Sequence, residues 1–123
     1  MGNAAKERAI SPAVKSAVRE RDSIDGWPCC IWCGSPYAEA EAHFIPRSQG
    51  GLGIEENILT LCRRCHFRFD HMADRAEMRK YFRHYLQSKY PDWNEETLIQ
   101  NRKRLNYGKK ENDRPEHLAE RGF

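Results

Sequence analysis

The sequence predicts an α+β domain, mainly α, whose centre is two short strands and a helix clamped at the base by a metal ion. Three observations predict it. Two Cys-x-x-Cys pairs, Cys30-Ile31-Trp32-Cys33 and Cys62-Arg63-Arg64-Cys65, enclose a 28-residue insert. Within the insert, two short stretches suited to strands, Ala40 to Ile45 and Asn57 to Leu61, flank a loop marked by Gly50, Gly51 and Gly53. Outside it, apolar residues recur at helical spacing before the first pair and after the second.

Two thiols separated by two residues can turn back on one ion, and two such pairs complete the closed tetrahedral thiolate shell preferred by structural zinc. Gly34 allows a tight turn after the first pair. The insert is longer than the ~15 to 20 residues usual between zinc-binding pairs, which suggests that it carries function. Cys29 leaves an alternative, because Cys29 and Cys33 could also close around a metal; spacing favours Cys30, with Cys29 buried or spare.

Ser11-Pro12 reads as an N-cap followed by proline at the first helical position, and Val14 and Val18 extend a helix over 12–21. Lys15, Arg19 and Arg21 on it are candidates to touch a nucleic-acid backbone. Asp25-Gly26 and Trp27-Pro28 end that helix and lead to the first cysteine pair. A helix is expected from Arg63, with His66 and Asp70 four residues apart on one face. Another begins at Ala73 or Asp74, and its stripe of Met78, Tyr81, Phe82, Tyr85 and Leu86 is core. Asp92 to Glu95 fits a capping box ahead of a last helix of about ten residues carrying Leu98, Ile99, Arg102 and Leu105. The sequence divides into one domain over 1–105, with a core over 28–72, and a mobile tail over 106–123.

A chain of 123 residues holds one small core, marginal without a metal staple. A mean hydropathy of -0.90 and 32% charged residues exclude a membrane protein, and no apolar run approaches the ~20 residues that span a bilayer. Five cysteines, four of them matched to a metal, with no apolar leader segment, point to a reducing cytoplasm. The net charge of +3 is uneven: residues 1–60 sum to -2, 61–110 to +7 and 111–123 to -2. Positive charge therefore gathers just after the insert, where a polyanion such as DNA would be held.

The run Glu41-Ala42-His43-Phe44-Ile45-Pro46-Arg47-Ser48-Gln49-Gly50-Gly51, continued by Glu56-Asn57-Ile58-Leu59-Thr60-Leu61-Cys62-Arg63-Arg64-Cys65-His66, resembles the HNH endonuclease family. The family's signature is a histidine three residues before a proline, a Gly-Gly turn, an asparagine, and a histidine directly after the last zinc cysteine. His43, Asn57 and His66 match it in order, over about one third of the chain.

The resemblance implies a ββα-metal core and metal-dependent hydrolysis of phosphodiester bonds in double-stranded DNA, either nicked or cut through. It makes His43 the general base, Asn57 the residue that holds the loop so that the base is oriented, and His66 a ligand of a catalytic divalent ion such as Mg2+, Mn2+ or Ni2+. Similar small single-domain proteins are common in bacteriophage genomes, often beside packaging terminase genes, which implies terminase subunits as partners and a host cytosol as location. Arg47 and Arg63 or Arg64 suit neighbouring phosphates, because a guanidinium fork matches phosphate oxygens. The chain departs from the family at Ala42, where aspartate or histidine commonly supplies a metal ligand. Asp70, one turn beyond His66, is the expected replacement, and Glu41 the rival, directed elsewhere if strand alternation holds. The departure also leaves open a zinc-dependent DNA-binding module, or a terminase partner, without catalysis.

Overall fold

Ser11 and Pro12 start the first helix as their chemistry requires, the Ser11 hydroxyl accepting from the Val14 amide at 3.2 Å. In this computed structural model, which describes residues 7–73 and 75–99, the helix α1 runs Pro12–Arg21. Its Val18 is buried against Ala40 and Ile58, so α1 lies across the strand pair that carries the insert.

The residues after α1 fold into a hairpin, β1 (Ser23–Ile24) antiparallel to β2 (Trp27–Pro28). Asp25 and Gly26 both take positive φ, 54° and 80°, as a two-residue hairpin turn requires. The Asp-Gly signal marked the end of the helix in the sequence, but the two strand residues on either side are too few to show periodicity.

The central pair is β3 (Ala38–His43) antiparallel to β4 (Ile58–Cys62). The expected strand over Ala40 to Ile45 is displaced toward the N-terminus for a specific reason. The backbone N–H and carbonyl of Ile45 both bond to the Asn57 side chain and so leave the ladder. Asn57 itself closes a 3-10 turn, Glu55–Asn57, before β4 begins.

Helix α2 (Arg63–His71) grows directly out of β4, its N-terminus capped by the Cys62 sulfur, which accepts from the Cys65 amide at 3.5 Å. Helix α3 (Arg75–Lys89) buries Met78, Phe82 and Leu86 against β3, β4 and α2, with Tyr85 half-buried beside them. Tyr81 of the expected stripe is exposed instead, its ring edge-on to Trp32.

After Lys89 the chain makes a 3-10 turn, Glu95–Leu98, capped by the Asn94 side chain, where an α-helix capped at Asp92 was expected. Tertiary bonding overrides the capping box: the Leu98 carbonyl accepts from Leu52 and Ile99 bridges to Gly51, which holds this segment extended against the glycine-rich loop. Residues 100–105 of the expected helix and the expected tail over 106–123 lie outside the described residues. Among the described residues no helix is long and apolar enough to cross a membrane.

Candidate metal centre and nuclease site

At the base of the fold, the four cysteines of the two pairs come together. The sulfurs of Cys30, Cys33, Cys62 and Cys65 all lie within 4.8 Å of one another, with Cys33 and Cys62 3.7 Å apart. A tetrahedral zinc shell with Zn–S bonds of about 2.3 Å sets its sulfurs about 3.8 Å apart, so the spacing fits one ion. Backbone amides point at the sulfurs as well, Cys33 N–H to Cys30 and Cys65 N–H to Cys62, both at 3.5 Å. The first turn closes through a bond from the Gly34 amide to the Cys30 carbonyl, with Gly34 at φ +83°. Burial and the neighbouring thiols push the Cys65 thiol well above its ordinary range, a cost that a bound divalent cation reverses. The four-cysteine cluster can therefore hold zinc. Cys29 stands outside it, its sulfur bonded to the Trp27 carbonyl at 3.3 Å.

Above the cluster, the end of β3 faces α2 across an open cavity of about 790 Å³. His43 and Glu41 enter it from β3, His66 and Asp70 from α2, and Arg47 from the loop after β3. His43 is positioned by a 2.9 Å bond between its Nε2 and the Arg8 carbonyl. A carbonyl can only accept, so Nε2 carries the proton and Nδ1 keeps its lone pair. Burial, helped by the nearby charges of Arg47 and His66, lowers the His43 pKa from 6.5 against the opposing pull of the Arg8 carbonyl and Asp70. The neutral, proton-accepting imidazole is thereby favoured at neutral pH.

The His66 and Asp70 side chains meet as the helical spacing predicts, Nε2 to Oδ2 at 3.3 Å. Adjacent ligands of an octahedral ion at about 2.1 Å stand about 3.0 Å apart, so this pair can present a two-ligand edge to a divalent cation.

Asn57 is fully buried and does not line the cavity. Its amide oxygen accepts from Ile45 N–H at 2.8 Å, and its nitrogen donates to the carbonyls of Ile45 at 3.2 Å and Leu52 at 2.9 Å. One side chain thus ties both ends of the loop after His43. Gly51 lets that loop fold onto itself, since a Cβ there would fall 1.7 Å from the Ile45 carbonyl oxygen.

Strand geometry alters the expectation for positions 41 and 42. The β3–β4 register slips between Ala40 and Ala42, a bulge at Glu41. Ala42, 1% exposed, joins the apolar core, whereas Glu41 and His43 face the cavity. A side chain at position 42 therefore points away from His66, and the side turned toward the site belongs to Glu41, whose carboxylate also meets Lys15 at 3.2 Å.

The expected phosphate contacts separate. Arg47 lines this cavity, Arg63 lines an adjoining one, and Arg64 is exposed but lines neither. Arg75 and Arg79 also border the main cavity, and Arg79 is anchored over the Phe44 ring with a 3.1 Å bond to the Phe44 carbonyl. Arg21, expected to face a nucleic acid, is instead turned inward, its side chain only 9% exposed. Its guanidinium binds both Asp22 carboxylate oxygens, at 2.7 and 2.8 Å, and donates to the carbonyls of Glu55 and Ile58 and to the Tyr90 hydroxyl. A charged residue at a helix end reads as solvent-facing in a sequence, and only the long-range partners reveal otherwise.

Residues 30–82 match the family model described as HNH endonuclease, from the first cysteine of the zinc cluster to the middle of α3. No curated protein matches the chain. The matched segment contains both cysteine pairs, His43, Asn57, His66 and Asp70, so this part of the chain is similar to the HNH endonucleases and consistent with a member of that family.

Proposed function

We propose that this protein is a metal-dependent endonuclease that hydrolyses phosphodiester bonds in double-stranded DNA. The observation that carries the proposal is the convergence of His43 with the His66–Asp70 pair on one open cavity bordered by Arg47. The Arg8 carbonyl holds His43 as the Nε2–H tautomer, and Nδ1 takes the proton from the attacking water. His66 and Asp70 would hold the catalytic ion, Mg2+, Mn2+ or Ni2+, which offsets negative charge on the phosphate and the departing alkoxide when bound. Arg47 and Arg63 hold flanking phosphates, and Asn57 positions the loop rather than touching substrate. Cys30, Cys33, Cys62 and Cys65 carry structural zinc under the site.

The likeness to small phage proteins extends the proposal to genome packaging, with terminase subunits as partners in a host cytosol. Co-purification with terminase subunits tests that extension. The alanine at position 42, where the family commonly carries a metal ligand, favours a second reading, a DNA-binding module without catalysis. Incubating the purified protein with a linear duplex and Mg2+, Mn2+, Ni2+ or EDTA separates the two. The proposal predicts metal-dependent products, and the second reading predicts gel shifts with intact DNA.

A further inference from the structure

A second cavity, of about 680 Å³, adjoins the nuclease site and shares Glu41 and His66 with it. Its walls combine two cations, Arg19 from α1 and Arg63 from the start of α2, with two aromatic rings, Trp27 from the hairpin and Tyr37 from the approach to β3. Both rings are turned outward: Tyr37 is 86% exposed and Trp27 61%. Trp27 is nevertheless fixed, because its indole N–H donates to the Pro36 carbonyl at 2.9 Å. The neighbouring backbone is held as well, with Tyr37 N–H bonded to the Ser35 hydroxyl at 3.1 Å.

Aromatic faces beside guanidinium groups in an open groove are the parts of a surface that binds single-stranded nucleic acid, rings stacking on bases and cations following the phosphates. Paired bases are already stacked inside a duplex and cannot reach such rings. Glu39 and Glu41, also in this wall, would repel a bare phosphate track but can accept from exocyclic base amines. The arrangement therefore suits exposed bases better than the outside of a double helix. A strand whose scissile phosphate lies at His66 runs directly from one cavity into the other.

We infer that the Trp27–Tyr37 groove binds unpaired nucleotides next to the scissile phosphate, so that the preferred substrate is DNA with a single-stranded segment abutting a duplex. This rests on the nuclease reading of the adjoining site and adds the structure of its substrate.

The test uses the full chain with His43→Ala, to prevent cleavage, and labelled DNA of three kinds: a blunt duplex, the same duplex with a single-stranded tail, and the tail alone. Fluorescence anisotropy is expected to show the tailed duplex bound more tightly than the blunt one. Stacking contributes roughly 1–3 kcal/mol per base, or about five- to 150-fold in affinity. Tyr37→Ala should bring the ratio of tailed to blunt affinity down toward one, and Trp27→Phe, which keeps an aromatic face, should largely preserve it. Equal affinities for tailed and blunt duplex, or a ratio untouched by Tyr37→Ala, would overturn the inference while leaving the nuclease reading in place. Failure to bind any of the three DNAs would overturn both.

Discussion

His43 can act as a base only while its Nδ1 is free, and two separate features keep it so: the Arg8 carbonyl that fixes the tautomer and the burial that disfavours the charged ring. Protonation removes the lone pair, so the acid limb of kcat/KM for DNA cleavage should have its midpoint below 6.5, the ordinary histidine value, with activity lost as pH falls through it. A midpoint above 6.5 in a pH-rate profile would mean that the observed titration is not that of His43. Asn57 acts at the same scale by a different route. Asn57→Ala leaves the N–H and carbonyl of Ile45 and the carbonyl of Leu52 without their partner, and stability should fall by about 2–4 kcal/mol in urea unfolding, with cleavage reduced even where the protein remains folded. At the metal pair, Asp70→Ala and His66→Ala should weaken Mn2+ binding by similar factors in a calorimetric titration. Retained binding in Asp70→Ala, with loss in Glu41→Ala, would move the ligand to the bulge. The meeting of His66 and Asp70 was legible in the sequence because it depends on helical spacing, whereas His43 and Asn57 were singled out by the resemblance to the HNH family. The roles of Glu41 and Ala42 were not, because the resemblance puts the ligand at position 42, whereas β3 alternates with Ala40 and Ala42 buried and Glu41 and His43 on the cavity side.

The elements around the site are joined by one buried ion pair. Asp22, at the end of α1, binds Arg21, the Thr60 amide of β4 and the Tyr85 hydroxyl of α3, while Arg21 reaches Glu55, Ile58 and Tyr90. Helix α1, strand β4 and helix α3 are thereby fixed to one another at a single point. Removing one partner strands the other charge away from water, so Arg21→Ala should destabilise the fold by about 3–5 kcal/mol, read as a shift in the urea midpoint. A change below about 0.5 kcal/mol would identify the pair as a dispensable surface contact. Here the limits of sequence reading are physical. Helix α1, α2 and the buried positions of α3 follow from caps and periodicity, which act over a few residues. The burial of Arg21 and the extended path after Leu98 are set by partners more than thirty residues away, whose approach leaves no local mark.

At the scale of the whole molecule, the two cysteine pairs tie the segment before β3 to the junction of β4 and α2, so the same staple that completes a small core also sets the strand and helix bearing His43 and His66. Chelating the zinc should therefore unfold the core rather than only inactivate it, visible as lost helical circular dichroism that returns with added Zn2+. Folded, active protein with no zinc by elemental analysis would contradict that dependence. Most of the cationic residues follow the insert in the sequence, and among the described residues Arg47, Arg75 and Arg79 border the cavity, which suits a polyanionic substrate. The central claim is that this cavity cuts DNA by using His43. It is tested most directly by plasmid cleavage with zinc-loaded protein in Mg2+, Mn2+ or EDTA, with wild type and His43→Ala side by side. The account predicts nicked or linear plasmid from the wild type with metal, none in EDTA, and a rate ~100- to 10,000-fold lower for His43→Ala at unchanged zinc content and helicity. Cleavage at the wild-type rate by His43→Ala, or intact plasmid from folded, zinc-loaded wild type with every divalent ion, would contradict it.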